Sequence, residues 1–374
     1  MKIKDFAAGL ADICSRSPLA VARPLVWTII ANPSAGGFTI RSRWKKHYSA
    51  LSAYAEQARS RSPRQGGSGP SDTAREADAG SGTLGSLGLI PTRGPGHAGE
   101  ITRSLIDEAE ASHGSSGGAQ PFYLIITAGG DGTSLEVQLE LFNLPPSLKS
   151  SFAVLRLPMG TGNDGADSWG LGGALELLIH PVRVEFAQAL RLTTASGKGP
   201  FLAFNILSVG LDAFVTHMTN KMKGKLPGDS YRLWVDIASL LYDRLYKVGT
   251  MEVKAFDEKG LLVNAFSEAV LLLAVGASGR RTYGSHKRIL PDERNVCAVK
   301  QMPLLRKVAL KGLFSTGEHI HKPESILFNA RRVEFNYGYP ILAQMDGETV
   351  LLQKDDYPAA IELTEAVIPV LKKI

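Results

Sequence analysis

Gly129-Gly130-Asp131-Gly132-Thr133 interrupts the chain abruptly. Before it, Phe122 to Thr127 is an apolar, β-branched run that predicts a buried strand; after it, Ser134 to Leu141 reads as the start of a helix. Glycine lets the backbone take unusual angles and lets a bulky anion approach the main-chain N–H groups. A helix N-terminus adds unpaired N–H donors and a partial positive charge. Asp131 is an acid inside what is otherwise an anion cradle. That combination suits a nucleotide phosphate accompanied by a divalent cation.

Two further loops share this context. Pro24 to Ala31 predicts a second buried strand, ended by Asn32-Pro33-Ser34-Ala35-Gly36-Gly37. Ser151 to Leu157 predicts a third, ended by Pro158-Met159-Gly160-Thr161-Gly162-Asn163-Asp164. Helices are expected over Arg43–Arg59, Gly99–Ala111 and Gly173–His180. Strand, loop and helix thus repeat up to about residue 184, the signature of a mostly parallel sheet covered by helices. In such sheets ligands bind beyond the carboxyl ends of the strands, where all three Gly-rich loops lie.

The remainder of the chain has a different texture. Ser60 to Gly88 is rich in Gly, Ser, Pro and Arg, with little to bury, and reads as a flexible insert. Beyond residue 184, short β-like runs appear at Ala187–Thr194, Phe201–Val209, Thr250–Phe256, Ala269–Val275, Asn295–Lys300, Ser325–Phe335 and Thr349–Gln353. A helix over Ser230–Leu245 interrupts them. The expected architecture is α/β: a mostly parallel αβα nucleotide-binding domain over 24–184 with the insert at 60–88, then a β-rich, sandwich-like domain over 185–374. The C-terminal segment is free to return to the first domain.

A chain of 374 residues with 44% apolar content can supply two cores. Its two cysteines, Cys14 and Cys297, form no disulfide framework and show no metal-ligand spacing, which suits a reducing cytoplasm. The longest apolar run, Ala269–Ala277, is too short to span a bilayer. The N-terminus makes a poor signal peptide and reads instead as an amphipathic helix packing Phe6, Leu10 and Ile13 inward. The formal charge of +6 is clustered at Arg41, Arg43, Lys45 and Lys46; at Lys221, Lys223 and Lys225; at Arg280, Arg281, Lys287 and Arg288; and at Arg306, Lys307 and Lys311. Such clusters suit an anionic lipid surface. Aromatic residues are not interleaved with them as a stacking platform requires, so nucleic acid is not an expected partner. His319 and His321 would share one strand face, but no third ligand accompanies them in sequence and no metal site is expected there.

The order NPSAGG, GGDGT, PMGTGND resembles the diacylglycerol kinase catalytic-domain family, including soluble bacterial lipid kinases and, more distantly, sphingosine and ceramide kinases. NAD kinases share the GGDGT loop, whereas PMGTGNDGA and Asp346-Gly347-Glu348 favour the lipid-kinase side. The resemblance implies ATP contacts at Asn32, Pro33, Ser34, Ala35 and Gly36, at Thr92 in TRGPGHA, at Gly130, Asp131, Gly132, Thr133, Ser134, Leu135 and Glu136, and at Thr161 and Asn163. Leu135 stands where relatives often carry Asn. It also implies Mg²⁺ linked to Asp131 and Asp164, directly or through water, and a catalytic base at Glu348. Read without the resemblance, Asp346-Gly347 is a hairpin turn. Asn205, Ser208, Gly210, Asp212 and Ala213 match a signature at the lip of the second domain. Asp292 in ILPDER matches a structural Mg²⁺ position, with Glu293 where the family has glycine.

The implied function is an ATP- and Mg²⁺-dependent kinase acting on a membrane lipid hydroxyl, diacylglycerol above all, in a cytoplasmic protein that docks peripherally on anionic membrane; a homodimer is compatible with the chain. Two alternatives stay open: a kinase of a soluble substrate such as NAD, and a non-catalytic nucleotide-binding regulator.

Overall fold

The computed structural model describes residues 2–19, 24–61, 87–113, 121–160, 162–222, 242–284 and 287–374. Most of the insert expected at Ser60–Gly88, Thr161, Lys223, Lys225 and the first part of the helix expected at Ser230–Leu245 lie outside the described residues. The chain divides into two compact units, Met1–Ala187 with Ala366–Ile374, and Gln188–Glu365.

The first unit is built on parallel strands β1 (Leu25–Ala31), β2 (Leu87–Pro91), β3 (Phe122–Gly129) and β4 (Phe152–Pro158), in the order β2-β1-β3-β4. Ile29 pairs with Ile126, and Ile126 with Leu155. Every residue of β3 and β4 is buried, as expected of strands covered on both faces. One face carries α1 (Lys2–Cys14), α2 (Gly36–Thr39), α3 (Arg41–Arg61) and α6 (Leu171–Ile179). There Phe6, Leu10, Ile13, Leu51, Leu175 and Leu178 form one core with Trp27, Ile29, Leu124, Ile126 and Leu155. Phe6, Leu10 and Ile13 are fully buried, so the N-terminal helix packs inward as its apolar spacing predicts. Helices α4 (His97–His113) and α5 (Asp131–Phe142) pack on each other, and α5 packs on β3. The C-terminal part of the last strand joins the sheet parallel to β4, Val370 opposite Val154.

The second unit is largely antiparallel. Strands β5 (Val182–Thr194) and β6 (Phe201–Ala203) pair, and the principal path runs β16-β15-β7-β9-β8-β14-β17. These strands are β7 (Ile206–Gly210), β8 (Thr250–Phe256), β9 (Leu262–Gly276), β14 (Arg332–Tyr337), β15 (Ile341–Met345), β16 (Glu348–Leu352) and β17 (Ala359–Lys373). The long β9 pairs with β8 through its first half and with β7 and β12 (Val296–Lys300) through its second. β10 (Arg281–Tyr283) and β11 (Lys287–Leu290) make a separate hairpin, and β13 (Ser325–Phe328) flanks β12. The α/β class, with a parallel sheet first and a β-rich part after it, is the one expected.

Helices α7 (Leu211–Met222), α8 (Tyr242–Leu245) and α9 (Leu304–Thr316) belong to this unit. Sequence reading missed α7 and α9, although Pro303 just before α9 and Gly317 at φ 90° just after it are ordinary helix start and stop signals. It also missed β17, whose apolar residues run without clear alternation. Two expectations need correction. His319 and His321 lie in a single 3-10 turn, Glu318–His321, so they do not share a strand face. His319 is buried, stacked on Phe314 at 4.1 Å, with Nε2 3.2 Å from the Ile289 carbonyl. Lys307, counted in a basic cluster suited to an anionic lipid surface, is only 6% exposed and pairs with Asp243 at 3.0 Å.

Candidate functional site

Four loops gather at the carboxyl end of the parallel sheet because the strands run in one direction and in register. Their backbones are tied directly to one another. The Thr92 amide donates to the Ala31 carbonyl at 2.7 Å, and the Asn32 amide to the Ala128 carbonyl at 3.0 Å. The Gly37 amide donates to the Met159 carbonyl at 2.7 Å; a Cβ on Gly37 would lie 2.8 Å from that same oxygen. Glycine is required there by the close approach.

Within the first loop the Asn32 side chain accepts the Ser34 amide at 2.9 Å, closing an Asx turn that leaves Pro33 and Ser34 exposed and Ala35 buried. The third loop is shorter than the sequence suggests. Helix α5 starts at Asp131 with Gly130 as its N-cap, so Asp131, Gly132 and Thr133 form its first turn. Amides at a helix N-terminus point along the axis away from the helix, where an anion can meet them. Gly132 is exposed. Thr133, Ser134 and Leu135 are turned into the protein, Ser134 Oγ lying 3.0 Å from Thr127 Oγ1. Any contact from these three to a ligand must therefore come through the backbone.

Asp131 joins this loop to the fourth. Its Oδ2 accepts the Asn163 amide and its Oδ1 the Gly165 amide, each at 3.0 Å. Asn163 adopts φ 60° and folds its side chain back, Oδ1 accepting the Gly160 amide at 2.6 Å and Nδ2 donating to the Gly160 carbonyl at 3.2 Å. Gly160 presses on Gly130; a Cβ there would stand 2.5 Å from the Gly130 Cα. A Cβ on Gly162 would meet both Asp131 Oδ2, at 2.8 Å, and Asp164 Oδ2, at 3.3 Å. Two carboxylates thus border one small space beside the N-terminus of α5, a donor set that fits a hard divalent cation.

Glu136, expected as a nucleotide contact, has a structural task in this fold. Its carboxylate accepts the Gly96 amide at 2.8 Å and the Ala98 amide at 3.0 Å, anchoring the TRGPGHA loop and the start of α4. Sequence reasoning missed Asp167. That residue pairs with Arg156 at 2.6 Å, accepts the Arg156 amide at 2.7 Å and so closes the loop from the far side. The only signal was a further acid three positions after Asp164.

The remaining expected residues belong to the second unit. Asp346 and Gly347, at φ 47° and 108°, make the two-residue turn between β15 and β16 and place Glu348 exposed at the first position of β16. The Asp346 carboxylate accepts the amides of Phe204, Asn205 and Ile206 at 2.5–3.1 Å. Burial pushes its carboxyl above the ordinary range, and those amides oppose the shift. Helix α7 braces the same turn: Asn220 Nδ2 donates to the Gly347 carbonyl at 2.7 Å, and His217 Nδ1 lies 3.2 Å from Thr349 Oγ1. Ser208 donates to Asp212 at 2.7 Å and receives Gln344 Nε2 at 2.9 Å, so the NILSVGLDA signature ties β7, α7 and β15 together.

Asp292 is engaged otherwise. Both its oxygens meet the Arg294 guanidinium, which holds the carboxyl below the usual range. Among the described residues no group of three or more His, Cys, Asp or Glu side chains converges as a metal site.

Residues 26–194 match the model of the diacylglycerol kinase catalytic domain. The resemblance read from the Gly-rich loops therefore holds over the stretch that carries them. Among curated proteins, the chain is similar to the "Probable lipid kinase YegS-like" of Yersinia enterocolitica serotype O:8 / biotype 1B, 28% identical over 169 residues. That alignment covers 45% of this chain and 52% of the relative, so the chain spans about half the length of the curated relative it matches. Two solved structures, each described as "a putative diacylglycerol kinase from Bacillus anthracis str. Sterne", share the fold. One has a TM-score of 0.56 at 17% identity, covering 93% of this chain and 95% of that one; the other has 0.54 at 18%, covering 93% and 97%.

Proposed function

We propose that this chain is an ATP- and Mg²⁺-dependent lipid kinase that transfers the γ-phosphoryl group to the hydroxyl of a membrane lipid, with diacylglycerol as acceptor and phosphatidic acid as product. One observation carries the reading: the convergence of the 32–37, 92–98, 130–133 and 160–165 loops around a helix N-terminus bordered by Asp131 and Asp164. The match of residues 26–194 to the catalytic-domain family supports it.

In this reading the amides at the start of α5 receive the nucleotide phosphates. Asp131 and Asp164 would hold the Mg²⁺, which offsets phosphate charge when bound. Glu348 accepts the proton as the lipid hydroxyl oxygen bonds to Pγ and the bond from Pγ to the β-γ bridging oxygen breaks, releasing ADP. Its exposure at the head of β16, on a turn anchored by Asp346, leaves the carboxylate accessible to a substrate. Protein is asked mainly to position and to compensate charge, since phosphoryl transfer needs little covalent help.

The test is transfer of radiolabel from γ-labelled ATP to a panel of lipid alcohols in mixed micelles, with and without Mg²⁺, and with NAD as a soluble control. Label in phosphatidic acid, absent without Mg²⁺ and strongly reduced in Glu348→Gln, is the expected result. Label in NAD alone, or no acceptor-dependent labelling at all, would overturn the assignment.

A further inference from the structure

Helix α9 is built inside out. Its sequence, LLRKVALKGLFST, offers enough leucine and valine to bury a full face. Leu310 is buried, and Leu313 and Phe314 are partly so. Yet Leu305 is 85% exposed, Val308 52% and Leu304 45%, while Lys307 between them is 6% exposed and turned inward to Asp243. Residues 304, 305, 308, 309 and 312 all face outward, spaced as one stripe of a helix. A lysine ammonium strongly favours water over a protein interior. Burying it while three large apolar side chains face solvent is the reverse of the usual amphipathic arrangement.

A second apolar side chain group is linked to this stripe. Asp243, the partner of Lys307, lies on α8, and Gln301 Nε2 donates to the same carboxylate at 3.0 Å. Two residues on, Leu245 is 62% exposed. The charge nearby is net positive: α8 and α9 carry Arg244, Arg306, Lys307 and Lys311, of which Lys307 pairs with Asp243 at 3.0 Å and Arg306 with Glu324 at 2.6 Å, so the cations outnumber the acids by two. Arg244 and Arg306 are exposed. Apolar side chains projecting from a short helix, flanked by cations, match an anionic phospholipid surface in both respects.

We infer that the outward face of α9, led by Leu305 and Val308 and joined by Leu245, is the surface by which this protein inserts into anionic lipid bilayer. The side chains enter the boundary between headgroups and acyl chains, and the exposed Arg244 beside Leu245 meets lipid phosphate. A second copy of the chain would cover the apolar stripe as well, but it would bring like charges together. The inference rests on the lipid-kinase reading only in that the acceptor is a membrane lipid.

The test is co-sedimentation of the full chain with vesicles of phosphatidylcholine alone or with one-third phosphatidylglycerol, without ATP. The full chain should bind the anionic vesicles, and more weakly at high salt. Leu305→Asp with Val308→Asp should bind about tenfold more weakly, with an unchanged thermal melt and unchanged phosphorylation of a short-chain acceptor in micelles. Equal binding by the double variant, or no binding by the unaltered chain, would overturn the proposal. So would a fall from dimer to monomer in the double variant by analytical ultracentrifugation, which would assign the face to a second copy. Vesicle binding without lipid phosphorylation would leave the docking face standing and remove the kinase reading, so the two fail separately.

Discussion

Asp131 Oδ2 accepts the Asn163 amide at 3.0 Å, so the acid at the first position of α5 holds the loop that follows the neighbouring strand. A carboxylate that reads in sequence as a metal or phosphate partner is also a brace between two loops. Its Oδ1 repeats the arrangement on Gly165.

Replacing Asp131 by Ala should therefore do two things. Loss of two charge-assisted hydrogen bonds should cost about 1–3 kcal/mol of stability. The 160–165 loop should loosen, and ATP affinity should fall by about tenfold or more, equivalent to about 1.4 kcal/mol. Denaturant melts and calorimetric titration with ATP measure the two effects. A variant of native stability would show that the amides find other acceptors.

Two glycines separate folding from ligand contact. A Cβ on Gly160 would sit 2.5 Å from the Gly130 Cα, whereas one on Gly132 meets nothing within 4 Å. Gly160→Ala should destabilise by about 1–3 kcal/mol, because two loop backbones must part. Gly132→Ala lies in the first turn of a helix and should change stability by no more than about 1 kcal/mol, in the stabilising direction. If phosphate approaches the α5 terminus closely, Gly132→Ala should still weaken ATP binding. Thermal melts and ATP titrations on both variants distinguish these outcomes.

The hairpin at Asp346 offers a similar separation. Asp346→Ala strands the Phe204, Asn205 and Ile206 amides and should cost about 2–3 kcal/mol. Exposed Glu348 should tolerate Gln with a change within about 0.5 kcal/mol, while turnover falls sharply and ATP binding persists. Unfolding curves together with the micelle assay check both halves.

Buried thiols and an imidazole set the pH limits of stability. Cys297 is pushed up to about 12 from 9.0 by burial, and Cys14 is raised further for the same reason. Above pH 9 the unfolded chain loses thiol protons that the folded chain keeps. Stability should therefore fall as pH rises from 9, by up to about 1.4 kcal/mol per pH unit for each thiol. His319 acts at the other end. Burial holds it below its ordinary 6.5, so the unfolded chain takes up the proton first and stability declines as pH falls below 6.5. Urea unfolding across the pH range checks both limbs. Neither thiol should react with a disulfide reagent at pH 8 until the chain unfolds.

Much of the fold class was legible because parallel buried strands advertise themselves. Leu25–Ala31, Phe122–Gly129 and Phe152–Pro158 are predominantly apolar runs, ended by Asn32-Pro33, by glycine and by proline, and such runs need no distant information to be read. The position of the Gly-rich loops at the strand ends follows from the same local pattern. What the chain by itself could not disclose were the long-range choices. Lys307 belongs to a basic run in sequence and is buried only because Asp243, more than sixty positions earlier, is packed against it. Asp346 looks like a turn residue, and nothing near it announces the three amides of Phe204 to Ile206 that it anchors. The 32-residue separation between Asp131 and Asn163 likewise closes only when β3 and β4 lie side by side. Local sequence sets which backbone angles are cheap and which side chains avoid water. Which polar group meets which is decided by the sheet order, since a buried hydrogen bond or ion pair forms only where packing brings distant segments together.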